Sequence, residues 1–438
     1  MTRSLSLLIA ATLCAAATTT VSAQETMTLD AALAQALAHN PQVRAAQAGA
    51  SAAADEVTAA RAAWLPRVGA SESWRRGNQP VFVFSSLLSA RQFTAANFAI
   101  DALNHPDSTG FFTASVGAEQ MVYDGGRTPS MIRAARLQQD IAQSGLDQTR
   151  AGLAMGVTQA YGHILIAAAR HRTTQAAVES AEQDLTRAER RREAGTVTDA
   201  DVLALRVHVA QMKQSAIQAA ADAAIARASL NRLMGAPLDR AFDVVEPDAP
   251  APASGLTLPA LSAEARQARP ELRRADAESQ LAIAMRDAAR SAWLPQVGVQ
   301  AGVESNGLTF SDRSSAWAVG AMVRWNLSLG GAEHAHARAA ASSVTRAAAA
   351  RDDAQAAVDL DVLAAMTTID AARAREAVGR AAVDAAVEGQ RIIRERYESG
   401  LASVNDVLRA SATRLEAETQ RIAARVDVLT AEAALRHA

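Results

Sequence analysis

Cysteine is almost missing from this chain: Cys14 is the only one in 438 residues, and it lies in an N-terminal segment with the form of a cleaved export signal. The mature chain then has none, which excludes disulfides, thiol catalysis and cysteine-based metal sites. Aromatic residues are scarce at 4%, too few to fill a broad globular core with large rings. Abundant alanine instead suits long helices packed closely over small side chains. Neither sign of charge dominates, since 44 Lys and Arg stand against 46 Asp and Glu. The basic residues are scattered among acidic ones on helix faces, which argues against nucleic acid as a partner. Past the N-terminal segment no run of 18 apolar residues occurs, so no helix is predicted to span a bilayer. A zinc-protease His-Glu pair, a nucleophile elbow, a P-loop and a dinucleotide fingerprint are all missing. His334 and His336, two apart on a predicted helix, point to different faces and make a poor metal pair. No catalytic residue, metal or cofactor is expected, and the chain does not read as an enzyme.

The first 23 residues have the form of a secretory signal peptide. Arg3 supplies a positive start, Leu5 to Ala17 is an apolar run too short to cross a bilayer, and Val21-Ser22-Ala23 is a small-residue cleavage site before Gln24. Leu13 before Cys14 is not the small residue that a lipoprotein signal needs. The chain is therefore expected to be exported.

The mature sequence is written twice. AARAAWLPRVG at Ala59 to Gly69 returns as AARSAWLPQVG at Ala288 to Gly298, an offset of 229 that also aligns Thr28-Leu29 with Thr257-Leu258 and Pro41 with Pro270. Further on the offset becomes 205: Gly125-Gly126 aligns with Gly330-Gly331, Gly195 with Gly400, and Asp201-Val202-Leu203 with Asp406-Val407-Leu408. The first copy thus carries an insertion, roughly Arg75 to Ser108. Residues 24–235 form a first helix–strand–strand–helix repeat and 260–438 a second, with a Pro-rich linker over 236–259. Two units are too few for a solenoid.

Within each copy the hydrophobic period switches. Pro41 to Ala63 and Pro270 to Ala292 read as helices opened by proline in the first turn. After Trp-Leu-Pro the pattern alternates strictly, with Val297, Val299, Ala301 and Val303 on one face and Gln296, Gly298, Gln300 and Glu304 on the other. A second strand comes next in each copy: Phe112, Ala114, Val116, Ala118 and Val122 share its apolar face in the first, and Ser314 to Leu329 is the strand in the second. Trp317 and Trp325 fall about 26 Å apart on one face, close to the roughly 25 Å apolar band of an outer-membrane barrel with its aromatic girdles. After each Gly-Gly turn comes a predicted helix of about 67 residues, Thr128 to Ala194 and Ala332 to Ser399, near 100 Å at 1.5 Å per residue. Thr198 with Asp201, and Ser403 with Asp406, have the spacing that starts a return helix. Each copy should therefore end in a helical hairpin paired as a coiled coil.

Four membrane-length strands cannot close a barrel, and lipid does not tolerate open strand edges. The barrel must be shared: two chains would give eight strands, three would give twelve. The small residues of the polar face favour an open lumen, and so three chains.

In this order, the motifs resemble the TolC-type outer-membrane efflux proteins over the whole mature chain. The tips Gly195 to Leu203 and Gly400 to Leu408 both match that family's Gly-x5-Asp-Val-Leu pattern. The resemblance implies an α+β membrane protein: a homotrimer with a 12-stranded β-barrel in outer-membrane lipid, continuous with a periplasmic helical tunnel. It implies an exit duct for a tripartite efflux or type I secretion system. The partners would be a periplasmic membrane-fusion adaptor and, through it, an inner-membrane pump of RND, ABC or MFS type. Gly195, Thr198, Asp201, Val202, Leu203, Gly400, Ser403, Asp406, Val407 and Leu408 become candidate adaptor-docking residues. Arg394, Arg396, Asp406 and Arg409 become candidates for a charge lock between chains at the tunnel mouth. Arg409 stands where the family pattern has a second aspartate. Trp317 and Trp325 are the expected barrel belt. The competing reading is the adaptor itself, a periplasmic coiled-coil protein, which the duplicated hairpin and bilayer-matched strands count against.

Overall fold

Prolines and glycines mark most of the element boundaries in the computed structural model, which describes residues 26–247, 257–325 and 329–437. The predicted signal peptide lies outside these residues. In chain order the elements are β1 (Thr26–Met27), α1 (Leu29–His39), α2 (Pro41–Ala62), β2 (Arg67–Gly77), α3 (Pro80–Ser89), α4 (Ile100–Asn104), β3 (Thr109–Tyr123), α5 (Arg127–Glu193) and α6 (Asp199–Met234). Then come β4 (Asp243–Val244), α7 (Leu258–Ala268), α8 (Pro270–Arg290), β5 (Gln296–Gly307), β6 (Ser314–Arg324), α9 (Ala332–Glu398) and α10 (Val404–His437). Both expected long helices are present at 67 residues each. The short α1 and α7 ahead of Pro41 and Pro270 were not anticipated. The stretch read as a linker carries β4 and the start of α7, while 248–256 lie outside the described residues.

The chain divides into two compact units. One comprises Leu37–Met155, Pro252–Ala372 and Ala431–Ala438. It holds a four-stranded, wholly antiparallel sheet in the order β2-β3-β5-β6. Each helix-to-strand joint is fixed the same way. The Trp64 carbonyl accepts from the Gln120 side chain at 3.0 Å, and the Trp293 carbonyl accepts from the Trp325 indole at 3.0 Å. These carbonyls end a helix ahead of a proline, where the helix itself supplies no donor. Gly125, at φ 70°, lies against the second joint, where a Cβ would come within 2.7 Å of Leu294 and 2.8 Å of the Ser291 carbonyl. Asp124 accepts from the Thr128 amide at 2.7 Å and so opens α5.

The strands differ from expectation in two places. β6 ends at Arg324 rather than Leu329, because its partner residue Gln296 comes directly after Pro295, which has no N–H to extend the ladder. Asn326 and Leu327 lie outside the described residues. In β3 the register shifts between Met121 and Tyr123, so Tyr123 rather than Val122 stands opposite Val297. A bulge of this kind re-aims the side chains after it.

Helix packing in this unit relies on alanine. Ala134 and Leu137 of α5 meet Ala277 and Ala284 of α8, and Ala265 of α7 and Leu272 of α8 meet Val358 and Val362 of α9.

The other unit comprises Met1–Ala36, Gly156–Ala251 and Arg373–Thr430. There β1 and β4 form a two-residue parallel pair. Gly162 lets α5 approach α10 so closely that a Cβ would lie 2.6 Å from Val426. One window of α5 is long and apolar enough to pass for a membrane span. In this unit Val157, Tyr161 and Ile164 of α5 are buried. The Tyr161 hydroxyl donates to the Met27 carbonyl at 2.8 Å and to the Val245 carbonyl at 2.5 Å, pinning both short strands to α5. Replacing Tyr161 by Phe removes the one hydroxyl hydrogen that these two carbonyls share, a loss of about 0.5–1.5 kcal/mol. The Val245 amide, which donates to the Met27 carbonyl, should lose hydrogen-exchange protection accordingly. Unchanged protection in the variant would show that the hydroxyl does not hold the strands.

Candidate functional site

Two regions hold the residues singled out from the sequence: the sheet and the hairpin tips. Cross-strand register lines up Val68, Ala118, Ala301 and Val319 on one face of the sheet, with Ala70, Val116, Val303 and Trp317 as the next row. On the other face Gly69, Gly117, Gly302 and Ala318 form one row, and Ser71, Ser115, Glu304 and Ala316 the next. There the Ser71 and Ser115 hydroxyls share a hydrogen bond of 2.8 Å. The apolar face is left uncovered by the described residues: Trp317 is 77% exposed and Trp325 61%. Aromatic residues gather at both ends of that face. Trp74, Phe112, Phe310 and Trp317 sit toward the strand-turn end, and Tyr123 and Trp325 toward the helix end.

By register the apolar face carries Arg76 near the strand end and, further in, the charged Glu72. The Arg313 guanidinium grips it with two bonds of 2.8 and 3.1 Å and also lies 4.4 Å from the Phe310 ring centre. Eleven residues at about 3.4 Å reach roughly 37 Å along a strand, and a tilt near 45° brings that to about 26 Å, an apolar bilayer band.

At the tips, Gly195 and Gly400 both sit at φ 74°, the left-handed conformation that ends a helix and that glycine takes without strain. Thr198 and Asp201 form the expected capping box: the Asp201 amide donates to the Thr198 hydroxyl at 3.2 Å and the Thr198 amide donates to the Asp201 carboxylate at 3.3 Å. Ser403 and Asp406 repeat it at 3.3 and 3.0 Å. The caps orient the residues after them. Val202 and Val407 point inward and are buried, whereas Leu203 is 58% exposed. Val202, Leu205, Ala188 and Val404 form one tip core, with Tyr397 and Leu408 packed against it. Of the Asp-Val-Leu triplets, then, the valines serve the core, while Leu203 stays exposed.

The arginines flagged from sequence separate into two kinds. Arg394, expected to pair between chains, pairs within the chain: it donates to the Ser180 hydroxyl at 2.9 Å and to Asp184 at 3.2 Å. Arg396 and Arg409 are exposed and bias Asp406 electrostatically. The partners on α5 were missed. Arg191 donates to the Glu398 carbonyl at 2.8 Å with its guanidinium 5.6 Å from the Tyr397 ring centre, and Arg187 reaches the Glu398 carboxylate at 3.1 Å. The repeat carried a signal for one of them, since Arg191 occupies in the first copy the place of Arg396 in the second. These side chains line a cavity of about 380 Å3 floored by Ala188, Leu205, Val404 and Val407. Burial pushes the Tyr397 phenol above its usual range, and the nearby Asp201 carboxylate adds to the shift.

The sequence model of outer membrane efflux proteins matches residues 32–236 and 261–438. The chain belongs to the outer membrane efflux protein family. Solved structures similar to this efflux protein include a membrane protein from Pseudomonas aeruginosa at 21% identity, covering 93% of this chain and 92% of that one, with a TM-score of 0.79. VceC from Vibrio cholerae is similar at 19% identity, covering 93% and 95%, with a TM-score of 0.78. The CmeC channel of Campylobacter jejuni is similar at 16%, covering 93% and 84%, with a TM-score of 0.79. At such identities the likeness concerns the fold. No curated protein sequence matches the chain significantly. The efflux protein is an outer-membrane channel with a helical periplasmic domain, and its family works with efflux pump systems.

The second cap gives a pH dependence. Hydrogen bonds from Ser403 hold the Asp406 carboxyl below the usual aspartate range. A folded value below the unfolded one, about 3.9, stabilises the cap above that pH, and the gain is lost as pH falls through the lower folded value. Protection factors for the amides of Val404 to Leu408 should hold at neutral pH and fall below about pH 4, and Ser403→Ala should lower them at neutral pH. A tip equally protected in acid would contradict this account of the cap.

Proposed function

We propose that the efflux protein is the exit duct of a tripartite efflux or type I secretion system, built as a homotrimer around a shared 12-stranded barrel. The observation that carries this reading is an antiparallel sheet with an uncovered apolar face, a face of small polar residues, and two edge strands, β2 and β6, that lack an outer neighbour among the described residues. In lipid such edges must be paired, and a second and third copy supply the strands. Glycine, alanine and serine on the polar face are too small to fill an eight-stranded interior, so twelve strands around water fit better than eight. On this reading outer-membrane lipid meets Trp317, Trp74 and Val319. The repeated element order supports an origin by tandem duplication, with the second copy free to diverge.

The tips are the docking end. Leu203 and the exposed Thr198 and Gly195, with Gly400 and Ser403 of the second tip, would meet a periplasmic membrane-fusion adaptor that joins the duct to an inner-membrane pump. The bonds from Arg394 to Asp184 and from Arg191 to the end of α9 tie the second hairpin to the first within one chain. Such a latch keeps the mouth narrow until the adaptor competes for it. Arg396 and Arg409 remain available for contacts between chains.

Detergent-solubilised protein should weigh three chains by native mass measurement. In planar bilayers it should conduct poorly, and Arg191→Ala with Arg394→Ala should raise the single-channel conductance severalfold. A stable monomer that is silent in both forms would sink the proposal.

A further inference from the structure

The two hairpin connections of the sheet are very unequal: β5 and β6 are joined through 308–313, β2 and β3 through 78–108. The longer one does not extend away from the strands. α3 opens on Pro80 and lays Phe82 edge-on against Phe111, ring centres 6.4 Å apart, with the Arg75 guanidinium 5.8 Å from the Phe82 ring. By register Arg75 and Phe111 belong to the small polar face. At its far end the segment is hooked to the opposite edge strand. The Ser314 hydroxyl donates to the Ala90 carbonyl at 2.9 Å, Arg91 donates to the Ser315 carbonyl at 3.1 Å, and Gln92 donates to the Asp312 carboxylate at 2.7 Å. An insertion that leaves from β2 thus passes β3 and β5 and is held at β6.

The hook is made at a backbone cost. Arg91 has φ 55°, the one non-glycine residue with positive φ among those described, and such a conformation persists only where surrounding contacts impose it. Past the hook the chain is braced, not loose. Phe93 meets Phe84 and Phe98 edge-on at 4.8 and 5.0 Å, and the Asn97 side chain accepts from the Thr94 amide at 2.7 Å. A braced segment would be expected to bury its apolar residues, yet Val81, Leu88, Phe98 and Ile100 all remain exposed, Val81 at 81%.

Resting on the barrel reading, we propose that this insertion is a lid over the outer mouth of the channel, completed by the insertions of the two neighbouring chains. The small polar face bounds the lumen in that reading. A segment anchored on it can project only toward the threefold axis, where it meets its own copies. Val81, Leu88, Phe98 and Ile100 are the surfaces that come together there and leave water. The hook of Ala90 to Gln92 at β6 sets how readily the lid swings clear, because it rests on three bonds, two of them exposed, and each is weak on its own. The lid restrains bulky solutes at the outer end, separately from the latch at the tips.

The test uses single-cysteine variants in intact cells, where Cys14 is the only native cysteine. Ala318→Cys places a thiol on the small polar face four residues past Ser314, and Val319→Cys places one on the apolar face. A small membrane-impermeant maleimide should label Ala318→Cys and not Val319→Cys. A bulky polyethylene-glycol maleimide should label Ala318→Cys slowly. Adding Arg91→Gly, Gln92→Ala and Ser314→Ala should speed it about tenfold or more while native mass still shows three chains. Glycine accepts the positive φ at 91, so this variant loosens the hook without straining the fold. Equally fast labelling by the bulky reagent with the hook intact would overturn the lid and leave the barrel standing. Equal labelling of both thiols by the small reagent would remove the barrel reading and the lid with it.

Discussion

Backbone hydrogen bonds at the two edges of the sheet constrain everything else in this protein. β2 and β6 are eleven residues each, and an antiparallel edge leaves roughly ten donors and acceptors unpaired, at several kcal/mol each in hydrocarbon. No side-chain contact offsets a penalty of that size. If those edges are closed by more copies of the same chain, as proposed, its other features follow. On that reading the apolar face needs no protein cover because lipid covers it. The opposite face carries rows of glycine, alanine and serine beside polar residues such as Glu119, Gln300 and Glu304, which suits a face turned toward water.

The helices solve a different problem with the same economy of side chains. Long helices have no broad core, so α5 must approach its neighbours α8 and α10 closely. Alanine at 134, 277 and 284, and glycine at 162 where a Cβ would collide with Val426, make that approach possible. Specificity then falls to a few polar fixtures: the capping boxes at 198 and 403, Asn231 holding the Leu238 and Arg240 carbonyls, and Tyr161 pinning β1 and β4. Each satisfies groups that a helix end or a short strand leaves orphaned.

Local chemistry was legible in the sequence, and contacts between distant segments were not. Proline at 41 and 270, glycine at 195 and 400, and the Thr198–Asp201 and Ser403–Asp406 spacings located helix ends to within a residue or two, because the cause lies within four positions of the effect. Strand faces could be read from alternation until Met121, where a bulge breaks the period without any residue that announces it. The two-residue strands were invisible because nothing in Thr26-Met27 or Asp243-Val244 foretells their pairing. The tip shows the same division. Arg394 was conspicuous, but its partners Ser180 and Asp184 lie more than two hundred positions away, and its pairing within the chain depends on how two hairpins pack. The folded insertion was legible only as an insertion, since its course over the sheet rests on bonds from Ala90, Arg91 and Gln92 to a strand of the other repeat and the turn before it.

The most direct test of the edge constraint is residue-resolved amide hydrogen exchange on the solubilised protein, comparing the outward-facing amides of β2 and β6 with those of β3 and β5. If neighbouring chains complete the barrel, all four strands should be protected to the same degree. Rapid exchange confined to the outer edges of β2 and β6 would mean that the edges are open, and would contradict the account.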